Sequence, residues 1–194
     1  MLDTRYRKYL DKYFDKTADL LIRRHITPTQ VTGIALAFGV SAGALYYFDF
    51  ILPAAALLWF SGFLDAVDGA LARKTQAMTK TGTLLDITFD RVVELVFILV
   101  FALKHQDAVF ALLCLTCAIV LSMTVFLTSG MLMANQGKKS FHYQAGLMER
   151  TEGFIMFTLM MLFNTHMKEI AFIYGALVLF TALQRLREAL KALA

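Results

Sequence analysis

The chain has 194 residues, of which 58% are hydrophobic and only 18% charged, and its mean hydropathy is +0.61. Soluble domains are typically about 45–50% apolar, so the composition excludes an ordinary soluble protein and predicts an integral membrane protein. The net charge of +4 comes without the interleaved basic and aromatic residues that indicate nucleic-acid binding. We therefore expect the lipid bilayer, and no nucleic acid, among the partners.

The N-terminal 25 residues alternate charged and apolar side chains at helical spacing, and they lack the cleavage pattern of a signal peptide. This pattern predicts an amphipathic helix over residues 1–26 that lies on the membrane surface. Thr27 and Pro28 then have the residue types of a helix cap and a first helical residue. Residues 27–194 are predicted to form one transmembrane domain.

Six apolar segments of this domain come close to the ~20 residues that a membrane-crossing helix needs. They cover residues 29–48, 51–73, 83–104, 108–134, 147–166 and 169–188. The fold class is therefore all-α, with six transmembrane helices after the interfacial helix. Only Lys104 and Lys168, of the 19 Lys and Arg residues, fall on the side opposite the N-terminus. The positive-inside rule places both termini and the loop at 73–82 in the cytoplasm.

Two short motifs within the spans, one of glycines and one of cysteines, are interpreted as packing features. Gly39 and Gly43 permit close helix approach, either inside one protomer or between protomers. Cys114 and Cys117 form a C-x2-C pair inside an apolar run, without a second pair of metal ligands, so packing is the favoured interpretation.

Four carboxylates in the second and third spans are the most informative residues. Asp65 and Asp68 are three residues apart, and Asp86 and Asp90 are four apart, so each pair occupies one face of its helix. The short connection makes the two helices antiparallel neighbours, and the pairs can converge. A carboxylate at the bilayer centre costs at least about 2.5–3.5 kcal/mol, so a positive partner is expected. Oxygen ligands without His or Cys suit Mg²⁺ or Mn²⁺, and two ions are plausible.

Residues between the carboxylates suggest what the metal site binds. Gly69, Ala72 and Gly82 leave space beside the acids, and Arg73 offers a planar cation suited to phosphate. A nucleotide pyrophosphate would fit, since paired metals stabilise charge in an in-line phosphoryl displacement. Arg73 could instead be a positive-inside anchor.

Together these residues form the pattern Asp65-x2-Asp68-Gly69-x2-Ala72-Arg73-x8-Gly82-x3-Asp86-x3-Asp90, which resembles the full motif of the CDP-alcohol phosphotransferase family. The resemblance implies that Asp65, Asp68, Asp86 and Asp90 bind the metal ions, and that Asp90 is also the catalytic base. It further implies contacts of Arg73 with the donor pyrophosphate and a cytidine pocket shaped by Gly69, Ala72 and Gly82. The implied reaction transfers a phosphoalcohol group from a CDP-alcohol such as CDP-diacylglycerol to a small polar alcohol and releases CMP.

The resemblance extends to the start of the first span, with one departure. Many relatives have Thr-Pro-Asn-x2-Thr there, whereas this chain has Thr27, Pro28, Thr29 and Thr32. Thr29 replaces the amide, and its hydroxyl can still cap a helix or contact a phosphate. Thr29 and Thr32 are therefore predicted donor contacts. Relatives resemble homodimers of bacterial or archaeal cell membranes, and we expect both properties here by analogy.

The acceptor is not specified by the motif. An acceptor entrance could be lined by Lys138, Lys139 and Arg150, which favours a phosphorylated polyol such as glycerol 3-phosphate. Alternatively, these residues only form a solvated helix end. Inositol, inositol phosphate and serine remain alternatives. Glu94, one turn beyond Asp90, could tune the metal site or pair with Arg91.

A different class of function, divalent-cation transport, also uses intramembrane carboxylates. The four aspartates lie towards one membrane face, with no acidic exit on the other, so the sequence favours the enzyme.

Overall fold

The computed structural model describes the backbone of residues 2–134 and 146–193, and the side chains of residues 11–132 and 146–193. These residues form seven α-helices and two short 3₁₀ turns, and no strand occurs among them. The helices are α1 (Leu2–Arg23), α2 (Pro28–Tyr47), α3 (Ile51–Lys74), α4 (Lys80–Lys104), α5 (Val109–Ala134), α6 (Arg150–Leu162) and α7 (Met167–Leu193). The all-helical prediction is confirmed.

The helix that follows the N-terminal segment starts where the sequence predicts. Thr27 is the N-cap of α2 and Pro28 is its first residue. The Gln30 amide donates to Thr27 Oγ1 at 3.4 Å, and the Thr27 amide donates to Gln30 Oε1 at 2.9 Å. This reciprocal capping box satisfies two backbone donors that helix geometry leaves without partners.

The helices divide into two compact units, the first of which is Tyr6–Lys104. Within it α2 packs against both α3 and α4. Gly39 permits the α2–α4 approach, because a Cβ there would lie 2.5 Å from Val93 Cγ2, and at Gly43 it would lie 2.5 Å from Val96 Cγ1. The glycine pair therefore packs inside the protomer, which answers the question that the sequence leaves open.

Replacing Gly39 with Ala should destabilise this unit. The added methyl would overlap Val93, whose β-branched side chain has little freedom to move in a helix, and overpacking typically costs about 1–3 kcal/mol. Gly33 is the matched control, because a Cβ there meets nothing within 4 Å. Thermal unfolding in detergent should show a lower Tm for Gly39→Ala and an equal or higher Tm for Gly33→Ala. Equal shifts would contradict the close α2–α4 packing.

The second unit includes α5, α6 and α7. α5 packs against α7, and Gly175 permits their approach because its Cβ would lie 3.3 Å from the Leu115 backbone. The helix α6 is shorter than the predicted span 147–166. Glu149 accepts from the Gly146 amide at 3.2 Å and caps α6 at its start, while Phe163 ends it.

Four of the segments are long and apolar enough to cross a membrane: Pro28–Tyr47, Ile51–Lys74, Gln106–Leu132 and Asn164–Leu193. The helix α4 is long enough, but it carries four charged residues between Asp86 and Glu94. The 13 residues of α6 span about 20 Å, less than the ~30 Å of a hydrocarbon core. By length and composition, the described residues thus contain four candidate membrane spans.

Candidate metal and donor site

Three of the four aspartates converge within the first unit. One carboxylate oxygen from each of Asp65, Asp68 and Asp86 lies within 4.8 Å of the others. The first two are one turn apart on α3, and the third faces them from the second turn of α4. Asp68 is buried, with 6% of its surface exposed, while Asp65 and Asp86 are half-buried. Three of the four predicted carboxylates therefore lie together, although α3 and α4 reach this point with α2 packed against both of them and not as a closely packed pair.

This geometry fits a hard divalent cation. Oxygens on opposite sides of a Mg²⁺ ion are about 4.2 Å apart, since each bond is 2.0–2.1 Å. A small inward rotation of the carboxylates would therefore bring all three onto one ion. Three clustered carboxylates, one of them buried, would repel each other without a cation.

Asp90 lies outside this group of three, one turn further along α4 from Asp86. It remains close enough to interact electrostatically with Asp86, Asp68 and Glu94. Glu94 forms an ion pair with Arg91, and its side chain is 14% exposed. The pairing interpretation of Glu94 is therefore the one that the structure supports.

Asp68 has a neutral hydrogen-bond donor from α2. The Thr32 hydroxyl lies 2.6 Å from Asp68 Oδ2 and 3.0 Å from the Pro28 carbonyl oxygen, and Thr32 is 6% exposed. A hydroxyl has one hydrogen, and the shorter contact with a charged acceptor favours donation to Asp68. Thr32 thus hydrogen-bonds to a predicted metal ligand and can orient its carboxylate. The sequence pattern predicts a donor contact for Thr32 and does not reveal this bond, which joins residues 36 positions apart.

The remaining predicted donor contacts are distributed over α2, α3 and α4. Arg73 is exposed and lies back along α3, so that a Cβ on Gly69 would be 3.3 Å from Arg73 Nη1. Its guanidinium also acts electrostatically on Asp68. Ala72 is half-buried, and Thr29 is exposed in the first turn of α2.

Gly82 lies in the first turn of α4, and its amide donates to Thr79 Oγ1 at 3.0 Å. A Cβ at this position would be 3.2 Å from the same oxygen. A side chain would therefore crowd the cap that starts α4, four residues before Asp86.

The predicted acceptor residues belong to the other part of the chain. Lys138 and Lys139 lie outside the described residues. Arg150 is half-buried at the start of α6, with its guanidinium carbon 5.4 Å from the centre of the Phe154 ring. Arg185 of α7 is 7% exposed and lies 5.0 Å above the Phe126 ring. The sequence pattern suggests only an orientation charge at Arg185, and its burial becomes visible in the structure alone.

The chain is similar in sequence to known membrane proteins. A family model described as CDP-alcohol phosphatidyltransferase matches residues 25–184. The inner membrane protein YnjF of Escherichia coli strain K12 is 32% identical over 196 residues, which cover 95% of this chain and 93% of that protein. The phosphatidylinositol phosphate synthase of Corynebacterium glutamicum is 28% identical over 171 residues, covering 80% and 72%.

The fold also resembles a solved structure. Mycobacterium tuberculosis phosphatidylinositol phosphate synthase with bound CDP-DAG superposes with a TM-score of 0.73 and 21% identity, covering 92% of this chain and 94% of that one. The same protein has been solved with manganese and citrate.

Proposed function

The chain belongs to the CDP-alcohol phosphatidyltransferase family, and we propose that it transfers the phosphatidyl group of CDP-diacylglycerol to an inositol phosphate, releasing CMP. The convergence of Asp65, Asp68 and Asp86 carries the proposal, because a nucleoside pyrophosphate needs such a cation site. Family membership favours this enzyme over a cation transporter, which would leave Arg73 and the glycines without a role.

We propose that Asp65, Asp68, Asp86 and Asp90 bind two divalent ions, either Mg²⁺ or Mn²⁺. When bound, the cations neutralise charge on the pyrophosphate oxygens. Arg73 contacts the pyrophosphate, and Gly69, Ala72 and Gly82 leave room for the cytidine. Thr29 supports the donor from the start of α2.

The transfer itself requires a base and a leaving group. Asp90 accepts the proton of the acceptor hydroxyl, whose oxygen attacks the phosphorus that carries the diacylglycerol. The bond from that phosphorus to the bridging pyrophosphate oxygen breaks, and this oxygen leaves with CMP. The acceptor oxygen has then replaced CMP on the phosphorus, which forms a phosphodiester without a covalent enzyme intermediate.

The acceptor proposal draws on the relatives. Proteins named as phosphatidylinositol phosphate synthases and archaetidylinositol phosphate synthases are among them, and this supports the inositol alternative. The preference for glycerol 3-phosphate receives no support from the comparisons. We propose Arg150, with Lys138 and Lys139, for recognition of the phosphate ester of the acceptor, on the chemistry of their side chains alone.

The direct test uses purified protein with CDP-diacylglycerol and either Mg²⁺ or Mn²⁺. Inositol phosphate, inositol, glycerol 3-phosphate and serine are supplied separately, and CMP release is measured. Inositol phosphate should give the highest kcat/KM. A higher value with glycerol 3-phosphate would overturn the acceptor, and no CMP with any acceptor would argue against the transferase.

Arg150→Gln provides a separate test of acceptor recognition. Loss of one charge-assisted hydrogen bond to a phosphate should raise the acceptor KM about tenfold while the donor KM stays unchanged. Arg187→Gln is the control, because Arg187 is an exposed arginine of α7. An unchanged acceptor KM in Arg150→Gln would assign Arg150 to its Phe154 contact alone.

We further propose six membrane crossings within a domain at 27–194. The predicted spans 83–104 and 147–166, which contain α4 and α6, are added to the four candidate spans. Residues 1–26 lie on the cytoplasmic surface, both termini and the aspartates are cytoplasmic, and the protein forms a homodimer. The membrane is that of a bacterial or archaeal cell. The bias of Lys and Arg supports this orientation, and cysteine accessibility on the two faces of intact cells would test it.

A further inference from the structure

Lys74 joins the N-terminal helix α1 to the C-terminal end of α3. Lys74 Nζ donates to Asp19 Oδ1 at 2.7 Å and to the Asp15 carbonyl oxygen at 3.0 Å. Its distance to Asp15 Oδ1 is 3.8 Å. The ammonium group thus contacts two successive turns of α1. Lys74 is itself the last residue of α3, the helix that carries Asp65 and Asp68.

Close to this contact, α1 packs into an apolar cluster, and two of the members on α3 lie between proposed site residues in sequence. The buried members are Ala18, Val31, Ala70 and Leu71, and Phe14, Leu21, Ile26 and Leu64 pack against them. Ala70 and Leu71 lie between Gly69 and Ala72 in sequence. Because a helix backbone is stiff over two residues, movement of this cluster would move the donor pocket as well.

We infer that Lys74 is a positioning residue, which holds α1 against the end of α3 and thereby keeps Arg73 and the neighbouring donor contacts in place. It lies six residues from Asp68, about 9 Å along the helix. Lys74 touches no reacting group in this assignment and acts only through the cluster. The inference rests on the proposed donor site.

The same unit contains a matched control at its other end. Lys104 Nζ donates to Asp49 Oδ1 at 2.7 Å and to the Tyr47 carbonyl oxygen at 2.9 Å, so it also joins a carboxylate and a helix carbonyl. It lies 14 residues beyond Asp90 on α4, roughly 21 Å along the axis. If each lysine only stabilised the fold, the two would have equivalent effects.

The experiment compares Lys74→Gln, Lys74→Arg and Lys104→Gln in the full chain. Lys74→Gln should raise the KM for CDP-diacylglycerol about fivefold, with kcat and the acceptor KM little changed, because the donor contacts lose their alignment. Lys74→Arg should restore most of the donor affinity. Lys104→Gln should lower the Tm by an amount similar to Lys74→Gln and leave the donor KM unchanged.

Amide hydrogen exchange in detergent gives a readout that needs no activity. Lys74→Gln should speed exchange in residues 11–23 and also in residues 69–73, whereas Lys104→Gln should do neither. Faster exchange in residues 11–23 alone would show that α1 does not position α3, and equal donor KM values in the two glutamine variants would likewise overturn the inference. Absence of CMP release by the unmodified protein would instead refute the proposed function and leave the exchange result to decide on Lys74.

Discussion

Asp90→Asn should abolish turnover while leaving CDP-donor binding nearly intact. Asp90 lies outside the group of three converging carboxylates, so Asp65, Asp68 and Asp86 can still bind a cation and the pyrophosphate without it. An amide cannot accept the proton of the acceptor hydroxyl. Loss of a general base typically lowers the rate by about 10²–10⁴-fold, and we expect kcat to fall by at least that factor. CMP release gives kcat, and Mn²⁺-dependent stabilisation of the protein by CDP gives donor binding.

Asp68→Asn should behave differently because it removes the charge of the one buried carboxylate among the three that lie together. We expect both turnover and metal-dependent CDP binding to be lost, since Asp68 is a proposed ligand of the cation that would hold the pyrophosphate. Asp107→Asn changes an exposed carboxylate between α4 and α5 and should alter neither measurement. Equal CDP affinity in Asp68→Asn and Asp90→Asn would contradict the division of roles between the two aspartates.

The parts of the site that the sequence predicts correctly are those set by local geometry. Asp65 and Asp68 share a helix face at a spacing of three, and Asp86 follows after a connection too short for anything but an antiparallel return. Their convergence could therefore be predicted without coordinates. The cap at Thr27 is equally local, since Gln30 lies three residues away in the pattern of a capping box.

Contacts between distant residues could not be predicted in this way. Thr32 and Asp68 are 36 residues apart, and nothing in either segment fixes the rotation of α2 about its axis. That rotation depends on the shape of Val93 and Val96 opposite the two glycines. Likewise, the charge pattern of α1 predicts a surface helix, whereas its attachment to Lys74 depends on which of its turns meets the end of α3.

Thr32→Val tests whether the hydroxyl acts on the metal site or on the donor. Valine keeps the shape of the side chain but removes the bond to Asp68, so this carboxylate loses the partner that orients it. Loss of such a supporting contact typically weakens metal affinity 10–100-fold, and we expect the half-saturating Mn²⁺ concentration to rise by at least about tenfold. At saturating Mn²⁺ the rate and the donor KM should largely recover.

Two variants separate this expectation from the alternative that Thr32 contacts the donor. Thr32→Ser retains the hydroxyl and should keep the original Mn²⁺ requirement, although it loses a buried methyl group. Thr29→Val changes the exposed threonine one turn earlier and should affect the donor KM alone. If Thr32→Val raised the donor KM at saturating Mn²⁺ and left the Mn²⁺ requirement unchanged, Thr32 would be a donor contact.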